Sequence, residues 1–267
     1  MPGRFQHFVR LMWRGAWLAA EFAFAAATWA ARGLRSRADD FGWRARWLQR
    51  HSRRMLRVLH VQLTVQGQPV PRGFLVANHL SYLDVLVLSA SGPCVFVAKS
   101  EVRGWPVFGW FARMAGTVFV NRRSRADTQV VAEAMTRVEA RGSLVVLFAE
   151  GTSSAGADVL PFKSSLLEPI VNAPRCGVAL LRYSLQQGSV ADEVCYWRDM
   201  TLVPHLLNLL TKDTISAEAR FGTVDPRGMD RKALAIHLRQ AVKALGSFQS
   251  QPAGVGWEGF SQPKFAL

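Results

Sequence analysis

The chain has 267 residues, of which 49% are hydrophobic, and its 33 Lys and Arg against 19 Asp and Glu give a formal net charge of +14. This length suits one large domain with a smaller appendage, and the basic excess favours a polyanionic partner, either nucleic acid or an anionic membrane surface. The cysteines, Cys94, Cys176 and Cys195, are scattered without a CxxC pair or a His/Cys cluster. This argues against a zinc site and a disulfide framework, and it fits a reducing, cytosolic environment.

Residues 1–60 predict a membrane-associating helical segment. Residues 11–31 are long and apolar enough for a candidate span, but Arg14 and Glu21 interrupt them, and arginines at both ends favour no orientation. Residues 41–61 combine apolar positions at helical spacing with many arginines, as interfacial helices do. We expect a helical pair that dips into one leaflet; the alternatives are a true span and a helix packed on a soluble core. The predicted membrane-binding residues are Trp13, Trp17, Trp43, Trp47, Arg50, Arg53, Arg54 and Arg57.

Residues 61–246 predict an α/β domain, because short β-branched runs alternate there with helical stretches. Such an alternation is typical of a largely parallel central sheet flanked by helices. The tail, residues 247–267, contains Gly, Pro and Ser without periodicity and is predicted to be loosely ordered.

The first polar motif of this domain follows the predicted strand "GFLVAN", which delivers Asn78 and His79 to its C-terminal end, where α/β proteins collect their sites. Asp84 lies five residues beyond His79, so its carboxylate can orient the imidazole and leave the other ring nitrogen as a general base. The alternative is a helix start with Ser81 as N-cap and Asp84 in the first turn. This motif alone does not decide between them.

Two further polar motifs end later strands. "GTVFVNRR", residues 116–123, places two arginines where they could bind a phosphate, or form a solvated basic loop. "FAEGTSSAG", residues 148–156, places a glycine turn and hydroxyls where backbone N–H groups could bind an anion or a polar head group, or form a simple polar turn.

In this order and spacing, the three motifs resemble those of the 1-acylglycerol-3-phosphate acyltransferase family, N-H-x4-D, G-x-[IV]-F-[IV]-x-R and F-P-E-G-T-R-S. The resemblance covers about residues 61–225. It implies an enzyme that moves a fatty acyl group from an acyl-CoA or acyl carrier protein thioester to the free hydroxyl of a lysolipid. The first expected acceptor is 1-acylglycerol-3-phosphate, which gives phosphatidic acid. No resident cofactor or metal is expected.

The same resemblance assigns roles to residues of this chain. His79 is the expected general base and Asp84 orients it, while backbone N–H groups after Asn78 are expected to stabilise the oxyanion. The expected acceptor-binding residues are Arg122, Glu150, Gly151, Thr152 and Lys99. The expected location is the inner, cytoplasmic membrane, with the catalytic domain on the cytoplasmic face.

Two departures from the family pattern bear on the acceptor. Ala149 stands where proline is usual, and Ser153 stands where many members carry an arginine that is expected to hold the acceptor phosphate. Hydroxyls do not replace a fork-shaped cation, so a phosphate-free acceptor such as lyso-ornithine lipid is the alternative.

Three other classes are weaker. A nucleic-acid-binding protein fits the charge, but no recognised motif is present. A serine hydrolase lacks the G-x-S-x-G elbow. An inactive membrane scaffold is disfavoured because His79 and Asp84 are intact.

Overall fold

A computed structural model describes residues 4–33, 40–121 and 125–247 of the chain. Its helices are α1 (Arg4–Gly33), α2 (Phe41–Val58), α3 (Leu83–Ser91), α4 (Phe108–Met114), α5 (Arg125–Ala140), α6 (Glu168–Val171), α7 (Val190–Glu193), α8 (Leu202–Thr211) and α9 (Arg231–Ala244). Its strands are β1 (Val61–Gln66), β2 (Gly73–Ala77), β3 (Cys94–Lys99), β4 (Val118–Val120), β5 (Leu144–Phe148), β6 (Cys176–Leu185) and β7 (Ile215–Val224). Beyond residue 247, the predicted tail lies outside the described residues.

The strands form a sheet in the order β1-β7-β6-β2-β5-β3-β4. All neighbouring strands run parallel except β6 and β7, which are antiparallel. The predicted α/β fold with a largely parallel sheet is therefore confirmed. Because β2, β5, β3, β4 and β6 run in the same direction, their C-terminal ends lie along one edge of the sheet, which we call the catalytic edge.

Helices cover both faces of the sheet. Residues of β5 alternate between the two cores: Val146 packs with α2, α3 and α8, whereas Val145 and Leu147 pack with α5, α6 and α9. A strand that is buried on both faces needs a continuous apolar run, which "LVVLF" supplies. Leu18 of α1 and Met55 of α2 belong to the first of these cores, so the N-terminal helices share the core of the α/β domain.

The two charges that interrupt the apolar run of α1 point into the protein. Arg14 is buried, and its guanidinium donates to the carbonyl of Leu210 at 3.2 Å and also to the carbonyls of residues 212 and 213. Glu21 is buried against α2, where its carboxylate lies 2.6 Å from His51 Nδ1 and 2.5 Å from Arg54 Nε. Both charges are therefore compensated within the fold.

The opposite face of α1 is apolar and exposed. Trp13 and Trp17 are 66% and 50% exposed, and their rings meet edge to face with centroids 5.9 Å apart. The other large apolar side chains exposed on this helix are Phe5, Phe8, Val9, Met12 and Phe24. None of the helices in the described ranges has both the length and the hydropathy of a membrane-crossing segment.

The tryptophans of α2 are placed differently from the prediction. Trp43 and Trp47 are only 8% and 4% exposed. Trp47 stacks on Phe111 of α4, with an interplanar angle of 9°, and its indole N–H donates to the carbonyl of Ala25 at 3.2 Å. The prediction that these two indoles bind a membrane is wrong, because the apolar side of α2 is already occupied by α1 and α4.

Candidate active site

His79 and Asp84 meet at the catalytic edge. The chain leaves the sheet after Ala77, and α3 begins at Leu83. His79 Nδ1 lies 2.8 Å from Asp84 Oδ2; the His79 side chain is 23% exposed and that of Asp84 is fully buried. Because the carboxylate accepts the proton on Nδ1, the neutral imidazole presents an unprotonated Nε2, which is the state that a general base requires.

Asp84 also fixes the loop that carries His79. Its Oδ2 accepts hydrogen bonds from the backbone N–H of Leu80 at 2.6 Å and of Ser81 at 3.0 Å. Ser81 is not the N-cap of α3, since the helix is preceded by Tyr82 and the buried Ser81 hydroxyl has no hydrogen-bond partner among the described residues. The helix-start interpretation of this motif is therefore incomplete, because the carboxylate binds the loop and the imidazole together.

Tyr183 approaches Asp84 from β6, the strand beside β2. Its hydroxyl donates to Asp84 Oδ1 at 2.6 Å, so the carboxylate receives four hydrogen bonds from the described residues. Burial, and then the neighbouring charge of Asp84, raise the pKa of Tyr183 well above its usual value. The Tyr183 hydroxyl is therefore a permanent donor.

The loop after β5 clamps the backbone of His79 from both sides. Glu150 Oε1 accepts from the His79 N–H at 3.1 Å, and the Ser154 N–H donates to the His79 carbonyl at 3.0 Å. Glu150 is 2% exposed, and its burial raises its pKa to about 7, against the hydrogen bonds from the N–H groups of His79 and Leu160. Glu150 thus holds the loop that carries His79, and its predicted role in acceptor binding stays a prediction.

Three of the backbone N–H groups that were expected to stabilise the oxyanion are already engaged. Those of His79, Leu80 and Ser81 donate to Glu150 or Asp84. These three donors have no hydrogen left for the reacting carbonyl, and an oxyanion site elsewhere at the start of α3 stays a prediction.

Asn78 has a structural role. Its side-chain amide donates to the carbonyl of Leu181 at 3.0 Å and accepts from the Leu181 N–H at 2.7 Å. The end of β2 is therefore tied to β6 just before His79, which fixes the register that brings Tyr183 to Asp84.

An apolar cavity of about 160 Å³ lies between α1, α2, α3, α4 and β3. Phe22, Met55, Val85 and Phe108 contribute to its walls. The imidazole of His79 stacks on Phe148 with ring centroids 4.1 Å apart, and Phe148 stacks in turn on Phe96, which lines the cavity. A base and an apolar cavity thus lie on either side of a short aromatic stack.

The other predicted acceptor-binding residues lie at strand ends of the catalytic edge. Gly151 and the exposed Thr152 follow β5, and Gly151 has the left-handed φ of +76° that the turn requires. The exposed Lys99 ends β3, the neighbour of β5. Arg122 lies outside the described residues.

In the described ranges, His, Cys, Asp and Glu side chains do not group as metal ligands.

The Ser153 hydroxyl is bonded to the backbone of a neighbouring segment. It donates to the carbonyl of Tyr196, and the N–H of Tyr196 donates to the carbonyl of Leu80 at 2.8 Å. The segment around Tyr196 therefore joins the loop after β2 to the loop after β5. Position 153 supplies no cation.

The profile of the acyltransferase family matches residues 62–204, which is more than half of the chain. The chain belongs to the acyltransferase family. This region holds His79, Asp84, Glu150 and Tyr183. The resemblance inferred from the three motifs is confirmed.

Two kinds of named relative are similar to this acyltransferase. The lyso-ornithine lipid O-acyltransferase of Brucella abortus is 42% identical over 187 residues, which cover 64% of this chain and 70% of the relative. The 1-acyl-sn-glycerol-3-phosphate acyltransferase of Neisseria meningitidis is 34% identical over 200 residues, which cover 72% of this chain and 78% of the relative. The rival class of nucleic-acid-binding proteins has no support among these matches.

A crystal structure supports the fold. The 1-acyl-sn-glycerophosphate acyltransferase PlsC of Thermotoga maritima superimposes with a TM-score of 0.61 over 93% of this chain and 99% of that one, at 20% sequence identity. At this identity the likeness establishes the shared architecture, with the N-terminal helices included.

The remaining predicted membrane-binding residues of the acyltransferase are on its surface. Arg50, Arg53, Arg54 and Arg57 are exposed on α2. Arg54 also lies over the ring of Phe24, 4.7 Å from its centroid, so the arginine row borders the apolar outer face of α1.

Sequence reasoning missed Tyr183 and Tyr196. Tyr183 follows the apolar run "GVALL" of β6, and the signal that could have found it is that a buried tyrosine hydroxyl needs a hydrogen-bond partner. Tyr196 acts through its backbone, which leaves no signal in the residue type.

Proposed function

We propose that this acyltransferase moves a fatty acyl group from an acyl thioester to the free hydroxyl of a lysolipid at the cytoplasmic face of the inner membrane. The observation that carries the proposal is the His79–Asp84 pair, which presents Nε2 as a base while Nδ1 is held by a buried carboxylate.

The reaction follows from this pair. The acceptor hydroxyl oxygen attacks the thioester carbonyl carbon while its proton passes to His79 Nε2. Asp84 stabilises the imidazolium that forms. The carbon–sulfur bond then breaks, the acyl group stays on the acceptor oxygen as an ester, and the leaving sulfur takes the proton from Nε2 as a thiol. A thioester is already activated, so a covalent enzyme nucleophile is not needed.

The apolar cavity supports a fatty acyl substrate. Its walls are made almost entirely of aliphatic and aromatic side chains, and burying an alkyl chain there gains about 0.8 kcal/mol for each methylene removed from water. Acyl-CoA and acyl carrier protein deliver the same thioester, so both are candidate donors.

The acceptor is proposed to be lyso-ornithine lipid, with 1-acylglycerol-3-phosphate as the second candidate. Two observations favour the phosphate-free lipid: position 153 supplies a hydroxyl that is bonded to Tyr196, and the Brucella abortus relative, at 42% identity, carries that name. This reverses the order expected from the sequence. The Neisseria meningitidis relative favours the phosphate acceptor.

Membrane association is proposed to use two neighbouring surfaces. The exposed apolar face of α1 enters the interfacial region of one leaflet, with Trp13 and Trp17 at the head-group level. The arginine row of α2 then contacts anionic head groups. The acceptor is a lipid, so this arrangement would bring the catalytic edge to its substrate.

An acyl-transfer assay in mixed micelles tests the acceptor. One labelled acyl thioester is offered with lyso-ornithine lipid or with 1-acylglycerol-3-phosphate. We expect turnover of lyso-ornithine lipid to exceed that of the phosphate acceptor at least about tenfold. Without an arginine at position 153, the acceptor phosphate lacks one charged hydrogen bond. The opposite preference would make the phosphate acceptor the substrate, and absence of ester from both would contradict the proposed function.

A matched variant sharpens the assay. Ser153→Arg supplies the missing cation at the position where many family members carry it. The variant is expected to gain turnover of the phosphate acceptor relative to lyso-ornithine lipid. An unchanged ratio would show that position 153 does not select the acceptor.

A further inference from the structure

We propose that Tyr183 is a positioning residue of the active site, which acts through Asp84 to hold the carboxylate with Oδ2 facing His79 Nδ1. This inference rests on the proposed function, because it assigns a role in the proton transfer to His79. Tyr183 is linked to His79 through Asp84, so its part in the reaction is indirect.

The position of Tyr183 is set by the sheet. β6 runs parallel to β2, with Ala77 opposite Ala179, and the Asn78 amide is bonded to Leu181 in both directions. The next inward-facing residue of β6 is Tyr183, whose hydroxyl reaches Asp84 Oδ1 at 2.6 Å. Two neighbouring strand ends therefore converge on one carboxylate.

The two oxygens of Asp84 have different partners. Oδ2 accepts from His79 Nδ1 and from the backbone N–H groups of Leu80 and Ser81. Among the described residues, Oδ1 accepts its hydrogen bond from the Tyr183 hydroxyl. Asp84 is fully buried, so loss of that hydroxyl would leave an unsatisfied acceptor in the interior. Tyr183 is thus the group that can fix the plane of the carboxylate from the side opposite to His79.

The electrostatic consequence has a definite sign. A donated hydrogen bond stabilises the ionised carboxylate and weakens its pull on the proton that it shares with His79. Without the Tyr183 hydroxyl, the His79–Asp84 pair would hold its proton more tightly, whichever of the two residues carries it. The base would then become available only at higher pH.

Other titratable groups also face the pair. Glu150 approaches from the loop after β5, and Cys195 from the segment after α7. Burial raises the pKa of Glu150 to about 7 and that of Cys195 to about 12. Both groups are retained when Tyr183 is changed, so their titration contributes equally to the two profiles that are compared.

The test compares full-length wild type with Tyr183→Phe in the micelle assay as a function of pH. We expect kcat to fall about tenfold, which is less than the loss expected when the general base itself is removed. KM for donor and acceptor is expected to stay within about twofold. The ascending limb of the kcat profile is expected to move to higher pH by about half a unit or more.

Tyr82→Phe is the matched control. It removes a phenol hydroxyl from the loop that carries His79, but that hydroxyl is bonded to His205 Nδ1 at 2.9 Å rather than to Asp84. The limb is expected to stay in place in this variant. The proposal would be overturned if the ascending limb of the kcat profile also stays in place in Tyr183→Phe, or if it moves equally in both variants.

Two further measurements test the proposal if the Tyr183→Phe variant does not fold. Replacement of Tyr183 by 3-fluorotyrosine keeps the shape and strengthens the donor, so the limb is expected to move to lower pH. In wild type, the proton resonance of His79 Nδ1–H is expected to shift on the same replacement, and an unchanged resonance and limb would overturn the proposal. A wild type that transfers no acyl group would contradict the proposed function, whereas an active wild type with unmoved profiles would contradict the role of Tyr183 alone.

Discussion

The catalytic edge and the N-terminal helix pair both bury acidic side chains, and they compensate the charge in different ways. At the catalytic edge, Asp84 accepts hydrogen bonds from backbone N–H groups, from Tyr183 and from His79, and Glu150 accepts from the His79 N–H. In the helix pair, Glu21 meets the guanidinium of Arg54 and the imidazole of His51.

The difference reflects what each carboxylate does. Neutral donors hold Asp84 in place without cancelling its charge, so the charge remains available to stabilise an imidazolium. A cation beside Glu21 cancels the charge and joins α1 to α2, while large apolar side chains such as Trp13 and Trp17 remain exposed on the outer face of α1. Burial lowers the pKa of His51, against the influence of Glu21. The catalytic edge is thus arranged to support proton transfer, whereas the helix pair is arranged to expose an apolar surface.

The largest effect is expected from Asp84→Asn, which keeps the shape and removes the charge. We expect kcat to fall about 10³-fold, because the imidazolium loses its counter-charge and His79 loses its fixed tautomer. Steady-state kinetics measure the loss, and thermal unfolding shows whether the variant is folded. A folded variant with activity within a few-fold of wild type would remove Asp84 from the mechanism.

Trp47→Ala tests the buried side of the helix pair. We expect the free energy of unfolding in denaturant to fall by about 4 kcal/mol, because a large aromatic side chain leaves a cavity. The matched variant Trp17→Ala removes an exposed indole and is expected to change stability by less than about 0.5 kcal/mol. Equal losses in the two variants would contradict the placement of these tryptophans.

Glu150→Gln tests the buried carboxylate at the catalytic edge. Because the pKa of Glu150 is raised to about 7, folded wild type keeps a proton that the unfolded chain has lost, and its stability falls as pH rises through the interval from about 4.5 to 7. Glutamine keeps the acceptor for His79 N–H and has no such penalty. The stability of the variant relative to wild type is expected to increase by about 3 kcal/mol across this interval. Parallel stability curves would refute the assigned charge state.

The smallest effect is expected from the arginine row. Arg50→Gln combined with Arg57→Gln should weaken binding to anionic vesicles by about 2 kcal/mol, or about 30-fold, at low salt. The control pair, Arg72→Gln and Arg175→Gln, makes the same charge change at exposed positions next to the start of β2 and β6, at the opposite edge of the sheet. Equal weakening by both pairs would show that net charge, rather than this surface, determines binding.

The sequence predicted the catalytic contact well because its determinants are local. His79 and Asp84 are five residues apart, the apolar strand before them ends at the sheet edge, and the motif carries this geometry with it. The parallel sheet followed similarly from alternating strand and helix patterns.

The remaining features depend on contacts between residues distant in the sequence. The sequence predicted a membrane interface for Trp43 and Trp47. The helical pattern of α2 does not reveal that α1 and α4 cover these side chains. Tyr183 lies 99 residues from Asp84, and its contact depends on the register between β2 and β6. Hydrophobic patterns specify which face is buried, but not which partner buries it.

The most direct test of the central claim is acyl transfer to a lysolipid in mixed micelles by wild type and His79→Ala. We expect wild type to form the ester and His79→Ala to be slower by about 10³-fold or more, with the fold and vesicle binding retained. Equal activity of the two proteins would contradict the role of His79 and with it the mechanism.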